Sequence, residues 1–193
     1  MLETGLTHGL YKHAAAIFND IANLEVISKF TLVGGTALAL QLNHRKSEDF
    51  DFMLWRTKKD ERPSVEWNKI VSAFETLGTP ENRIHVKENL FIADIESIAV
   101  MKLEVLTRRA TFRDYYDIYC IFNRLNDVES AKRLFSAALK HAEYRISSKT
   151  LFALLGNSER IIEDRNFALL EPKYNVTAKE IEHYLRERIR QTR

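Results

Sequence analysis

Apolar residues recur along the first thirty positions at intervals of three and four. Leu10, Ala14, Ile17, Phe18, Ile21 and Leu24 set this spacing, which predicts an amphipathic helix over residues 7–28. Phe30, Leu32 and Val33 then form a short apolar strand that stops at Gly34-Gly35. Residues 37–42 return to a helical pattern, with Thr36 as the expected N-cap. Residues 44–48 read as a polar, solvated loop. Phe50, Phe52 and Leu54 alternate with Asp49, Asp51 and Met53, the period-two pattern of a strand. A charged loop covers 57–63. Pro63 suits the first turn of a helix over 65–77, which Gly78 ends. Residues 83–87 and 90–94 are two short strands split by Glu88-Asn89, the pattern of a hairpin. From Ile95 onward the pattern is helical, over 95–109, 113–125, 128–143, 148–155, 158–165 and 178–190. Strands are thus confined to residues 30–94. The expectation is an α/β (α+β) fold, with a small mixed sheet flanked by helices in residues 1–94. A mostly helical part follows in 95–193, within one domain or as an extension of it.

Composition adds exclusions. The 193 residues are 45% hydrophobic and 29% charged, which is ordinary globular usage. A net charge of +2 does not decide for or against a nucleic-acid partner, so any phosphate-binding surface must come from local clustering. Cys120 is the single cysteine, which rules out an intramolecular disulfide and Cys₂His₂ zinc sites. The opening residues lack a basic segment followed by an apolar core, and no apolar run approaches the ~18 residues that span a bilayer. A cytoplasmic protein without a membrane partner is expected.

The chemistry concentrates in two blocks. Asp49 and Asp51, two apart on a strand, point to one face, with Phe50 and Phe52 on the other. Two carboxylates ~6–7 Å apart repel unless a cation sits between them. Hard oxygen ligands suit Mg²⁺. The structural alternative is the solvated face of an edge strand, although Asp is a poor strand former. Gly34-Gly35-Thr36 joins a strand to a helix. Glycines let backbone approach a ligand, and a helix N-terminus offers free N–H groups to phosphate. The structural alternative is a tight turn that binds nothing. No Gly-Lys-Ser/Thr follows, so it is not a P-loop, and the third glycine of a dinucleotide fingerprint is missing.

Together, the stretch LVGGTALALQLNHRKSEDFDF over residues 32–52 resembles the nucleotidyltransferase superfamily and, more narrowly, the AbiEii/AbiGii-type toxin nucleotidyltransferases. The matching residues are Gly34, Gly35, Thr36, Ala37, Leu38, Arg45, Ser47, Asp49 and Asp51. The family's second block is matched by MKLEVLTRRATFRDYYDIY, residues 101–119. Lys102 and Arg109 are seven apart and share a helix face. Asp114 and Asp117 share another, and Arg113 is placed to pair with Asp117. The structural alternative for these charges is a solvated salt-bridge ladder between two helices.

The resemblance implies transfer of a nucleoside monophosphate from an NTP, with release of pyrophosphate and dependence on Mg²⁺ (or Mn²⁺). The acceptor it implies is an RNA, such as the 3′ end of tRNA, or a protein hydroxyl. It also implies the toxin of a toxin–antitoxin system with an antitoxin protein as partner. Gly34, Gly35, Thr36, Arg45, Ser47, Arg109 and Arg113 take nucleotide-binding roles. Asp49 and Asp51 take the metal. Lys102 sits near the triphosphate, and Asp114 or Asp117 orients it or acts as base. Asp94 is the nearest candidate for the third carboxylate of many superfamily members, or else a helix cap. A non-catalytic nucleotide- or RNA-binding relative is the alternative. Residues 173–193, with six Lys/Arg against three Glu, offer weak support for RNA. Tyr115, Tyr116 and Tyr119 have the spacing of base-stacking rings or, more simply, of core. His44 belongs to the solvated His-Arg-Lys loop.

Overall fold

A computed structural model describes residues 5–55, 73–76, 83–141 and 146–192. The chain divides into two compact units, Met1–Ile98 and Ala99–Arg193.

The first unit is built on a five-stranded mixed sheet in the order β3-β2-β1-β5-β4. Strand β1 (Thr31–Val33) is central and wholly buried, consistent with its β-branched and apolar side chains. It pairs antiparallel with β2 (Asp51–Trp55), Val33 opposite Asp51, and parallel with β5 (Leu90–Ala93), Leu32 opposite Ile92. Strand β3 (Ala73–Thr76) lies parallel to β2. The predicted helix over 65–77 is therefore corrected at its end, where pairing to β2 overrides an apolar spacing that suits a helix. Residues 65–72, Pro63, Gly78 and the charged loop lie outside the described residues. The hairpin of β4 (Arg83–Lys87) with β5 forms as expected, turning at Glu88, whose φ is +45°.

Helix α1 (Lys12–Asn23) buries Ala14, Phe18 and Ala22, an i, i+4, i+8 stripe. It is shorter than predicted. Residues 25–29 form a 3₁₀ turn, and Leu10 makes an isolated bridge to Ser47 instead of helix. Helix α2 (Gly34–Leu42) leaves β1 without an intervening loop, and Asn43 in the left-handed region ends it. Gln41 on α2 donates to the Ala93 carbonyl at the end of β5, 2.9 Å away. Helix α3 (Ile95–Val105) follows and crosses the unit boundary.

The second unit is helical: α4 (Phe112–Leu125), α5 (Val128–His141), α6 (Ser148–Leu155) and α7 (Ala178–Gln191). Each starts where a short polar side chain accepts a hydrogen bond from the first turn: Thr111, Asp127, Ser147 and Thr177. The predicted helices over 95–109 and 158–165 are longer than the observed ones. The first stops at Val105, and only Ser158–Arg160 of the second forms a 3₁₀ turn. Residues 142–145 lie outside the described ones. Tyr115 and Tyr116 are fully buried, and Tyr119 packs against Tyr174 and Tyr184, so these rings are core. Cys120, on the same helix, is also buried. Helix α7 is docked: it carries a capping box and buries Ile181, Leu185 and Ile189. No helix of the described residues is long and apolar enough to cross a membrane.

Candidate active site

The glycine turn of the first unit brings opposite charges to adjacent backbone positions. Gly34 has φ +70°, a conformation that costs a side-chain-bearing residue ~1–2 kcal/mol. A methyl group there would lie 2.6 Å from Asp51 Oδ2. One at Gly35 would lie 2.5 Å from Arg45 Nη2 and 3.3 Å from Ser47 Oγ. Gly34 is required by its backbone conformation, and two side-chain ends close on the pair: Asp51 abuts the first glycine and the Arg45 guanidinium the second. Antiparallel pairing produces this, since Asp51 opposes Val33, the residue before the turn.

Thr36 is not the N-cap, as the sequence suggested; α2 begins two residues earlier, with Val33 at the cap position and no side-chain cap. The Thr36 side chain is 1% exposed and turned to the following loop. Its hydroxyl lies 2.8 Å from Ser47 Oγ and also bonds the Asp49 carbonyl oxygen. A carbonyl only accepts and each hydroxyl has one proton. The Thr36 hydroxyl is thus the donor, its proton shared between the Asp49 carbonyl and Ser47 Oγ. This relay fixes the main chain that carries the two acids.

The loop over 44–48 is not solvated. His44 and Arg45 are 1% and 3% exposed. Residues 9–11 cover the loop: the Ser47 N–H donates to the Gly9 carbonyl and the Tyr11 N–H to the Ser47 carbonyl, both 2.9 Å. The Arg45 guanidinium also donates to the Lys46 carbonyl at 3.0 Å. Asp49 differs from expectation in a second way. It lies just before β2, exposed, so strand alternation does not place it; the Thr36 relay does. Phe50, on the apolar side, meets the Phe18 ring at 6.4 Å between centroids.

Asp94 follows β5 directly and lies at the same end of the sheet as Gly34 and Asp51, with β1 between. Adjacent strands are ~4.8 Å apart, so backbone separation from Asp51 is ~10 Å. Its carboxylate accepts from Ser97 N–H at 2.7 Å and Ser97 Oγ at 3.2 Å, which makes it the cap of α3. Among the described residues no three His, Cys, Asp or Glu side chains gather closely enough to hold a metal.

The second block forms an ionic cluster inside the helical unit. Lys102 on α3 is 7% exposed, and its Nζ lies 2.9 Å from Asp114 Oδ1 and 2.8 Å from Asp117 Oδ2. Arg109 donates to Asp114 through Nε at 2.9 Å and Nη2 at 3.1 Å. Thr111, the N-cap of α4, donates to Asp114 Oδ2 at 2.6 Å. The alternative of a solvated ladder is thereby corrected for Lys102, Asp114 and Asp117, which are internal, while Arg109 reaches Asp114 from an exposed position. Asp117 is fully buried against Lys102, an arrangement that orients the ammonium. Arg113 pairs with Asp164 rather than Asp117, at 2.9–3.0 Å. Asp164 and Thr111 were missed by sequence reasoning. Thr111-x-x-Asp114 is a readable capping pattern; Asp164, 51 residues from Arg113, leaves no local signal.

Burial by itself raises the Asp114 pKa. The Lys102 charge, then hydrogen bonds from Thr111, Arg109 and Lys102, outweigh it and hold the carboxyl below its ordinary 3.8. The unfolded chain therefore takes up this proton at a higher pH than the folded one. Stability from Asp114 is complete above the unfolded value and is lost as pH falls through the folded value. The difference in urea stability between wild type and Asp114→Asn is expected to be large at about pH 6 and to shrink steadily below about pH 4. A difference as large at pH 2 as at pH 6 refutes this assignment.

Comparison with known proteins agrees with the geometry. The family model described as nucleotidyl transferase AbiEii toxin, type IV TA system, matches residues 16–78 and 61–188. An uncharacterized protein of Aquifex aeolicus (strain VF5), aq_aa25, is 24% identical over 208 residues, covering 94% of this chain and 97% of its own. No solved structure matches. With the family model covering most of the chain, and the glycine turn abutting an acid of the adjacent strand, the chain belongs to the AbiEii nucleotidyl transferase toxin family of toxin–antitoxin systems.

Proposed function

We propose that the protein transfers a nucleoside monophosphate from an NTP to an RNA acceptor and acts as the toxin of a toxin–antitoxin pair. The observation that carries this reading is the close approach of Asp51 to Gly34, which puts a carboxylate beside backbone suited to a nucleotide's phosphates. The backbone N–H groups at the start of α2, beside Gly34 and Gly35, are the seat for the triphosphate tail. Arg45, buried against Gly35, counters its charge. Thr36 and Ser47 hold the main chain at Asp49 in place. Asp49 and Asp51 offer hard carboxylate oxygens, the donor set that Mg²⁺ or Mn²⁺ takes, and no side chain at residues 34 or 35 competes for the space. When bound, such an ion neutralises phosphate charge and lowers the pKa of the acceptor hydroxyl. The remaining work is positioning, since phosphoryl-type transfer asks little covalent help from protein. Lys102, held by Asp114 and Asp117, and Arg109, held by Asp114, are ion-paired within the helical unit. Arg113 is committed to Asp164, which speaks against a direct phosphate contact.

Charge favours RNA over a protein hydroxyl. The helical unit carries 18 Lys/Arg against 13 Asp/Glu, a bias that the whole-chain total of +2 conceals. The protein is incubated with each α-labelled NTP, Mg²⁺ and either total RNA or total protein. Label in RNA, abolished by EDTA, is the expected result. Label in protein instead changes the acceptor, and NTP binding without any transfer favours the non-catalytic relative.

A further inference from the structure

We infer that the segment 9–11 is a positioning element of the active site, acting through its backbone on the loop that carries the metal-binding acids. This rests on the reading of Asp49 and Asp51 given above. The segment precedes residue 16, where the family model begins to match. Gly9 is buried, and a methyl group on it would lie 2.6 Å from the Ala39 carbonyl oxygen and 2.8 Å from its carbon. Those are backbone atoms of α2, so no side-chain rotation relieves the clash. Gly9 is therefore wedged against the helix that begins at the glycine turn. Its carbonyl accepts from the Ser47 N–H, and two residues on the Tyr11 N–H donates to the Ser47 carbonyl. Ser47 is clamped on both main-chain sides, leaving its hydroxyl aimed at Thr36 and, through Thr36, at the Asp49 carbonyl. The acids' backbone is thus held by a chain of contacts running from Gly9 and Tyr11 to Asp49.

Tyr11 allows a clean test. Its φ is −71° and ψ 158°, so proline fits the backbone there and removes only the N–H that bonds Ser47. Tyr11→Ala removes the same ring and keeps that N–H. Transfer is measured against Mg²⁺ concentration for wild type, Tyr11→Ala, Tyr11→Pro and Gly9→Ala. Ala22→Gly, in the buried stripe of α1, serves as a control that lowers the melting temperature without removing the Gly9–Ser47 and Tyr11–Ser47 bonds. Misplacing a reacting group by ~1 Å costs up to ~10²-fold in rate. Tyr11→Pro is expected to lose about tenfold in kcat relative to Tyr11→Ala and to need more Mg²⁺, with Gly9→Ala losing more. Ala22→Gly keeps the wild-type Mg²⁺ midpoint. Equal kcat and equal Mg²⁺ midpoints for Tyr11→Pro and Tyr11→Ala overturn the inference. Amide exchange over residues 47–51 gives a readout independent of activity. Faster exchange in Tyr11→Pro than in Tyr11→Ala is expected, and identical exchange also overturns it. A wild type without transfer activity counts against the proposed function and leaves the exchange comparison to decide this one.

Discussion

Asp51→Asn is expected to lower the rate of nucleotidyl transfer by at least ~10³-fold, equivalent to ~4 kcal/mol of lost transition-state stabilisation. The substitution is nearly isosteric. The side chain still fits against Gly34, where only glycine leaves it room. What changes is charge: an amide cannot supply the anionic oxygen that a divalent cation takes in preference to water. Asp51 is only partly buried, so the melting temperature stays within a few degrees of wild type, and the loss is chemical rather than structural. Asp49→Asn lowers the rate as well, because its carbonyl bond to Thr36 survives while its charge does not. Single-turnover assays with purified protein and saturating NTP measure both. An Asp51→Asn variant that keeps a tenth of the wild-type rate removes this carboxylate from the metal site.

The largest effect on stability is expected at Lys102. Its ammonium neutralises two carboxylates that are almost wholly withdrawn from solvent. Lys102→Met fills similar volume but removes the ammonium that faces the buried Asp117 carboxylate in the helical unit. Removing one partner of a buried ion pair costs ~3–5 kcal/mol, chiefly because the remaining charge stays desolvated. In a unit of this size ~1 kcal/mol moves the melting temperature ~4–8 °C, so a fall on the order of 15 °C or more is expected. Asp114 is partly protected, since Arg109 and Thr111 still bond it. The double variant Lys102→Met/Asp117→Leu is expected to recover most of the loss, because an apolar replacement of a buried pair is often neutral or better. Thermal melts of the single and double variants decide it. A single variant that loses under ~1 kcal/mol, or a double variant no better than the single, contradicts the account.

The parts legible in the sequence were those written in local periodicity or spacing. The β4–β5 hairpin, helices α4 to α7 and the Gly34/Asp51 pair all stand near their expected positions. The parts not legible depend on distant partners. Ala73–Thr76 becomes a strand because β2 lies beside it, although its apolar spacing suits a helix. His44 and Arg45 are polar residues in a loop, and yet they are interior, in a loop that residues 9–11 tie down at Ser47. Thr36 has the composition of a cap, yet its hydroxyl serves Asp49, thirteen residues on. Arg113 had a suitable partner four residues away and found another 51 away. In each case the local rule described an isolated segment correctly, and a tertiary contact of larger energy overrode it.

The buried thiol of Cys120 also makes the fold a clock. It is the chain's single cysteine, and it lies on the same helix as Asp114 and Asp117. Thiol reagents reach it only when that helix opens, so the rate of its alkylation reports opening kinetics without any assay of catalysis. A cysteine introduced at an exposed position would, for the same reason, react first and alone, giving a ready-made single-label background for fluorescence.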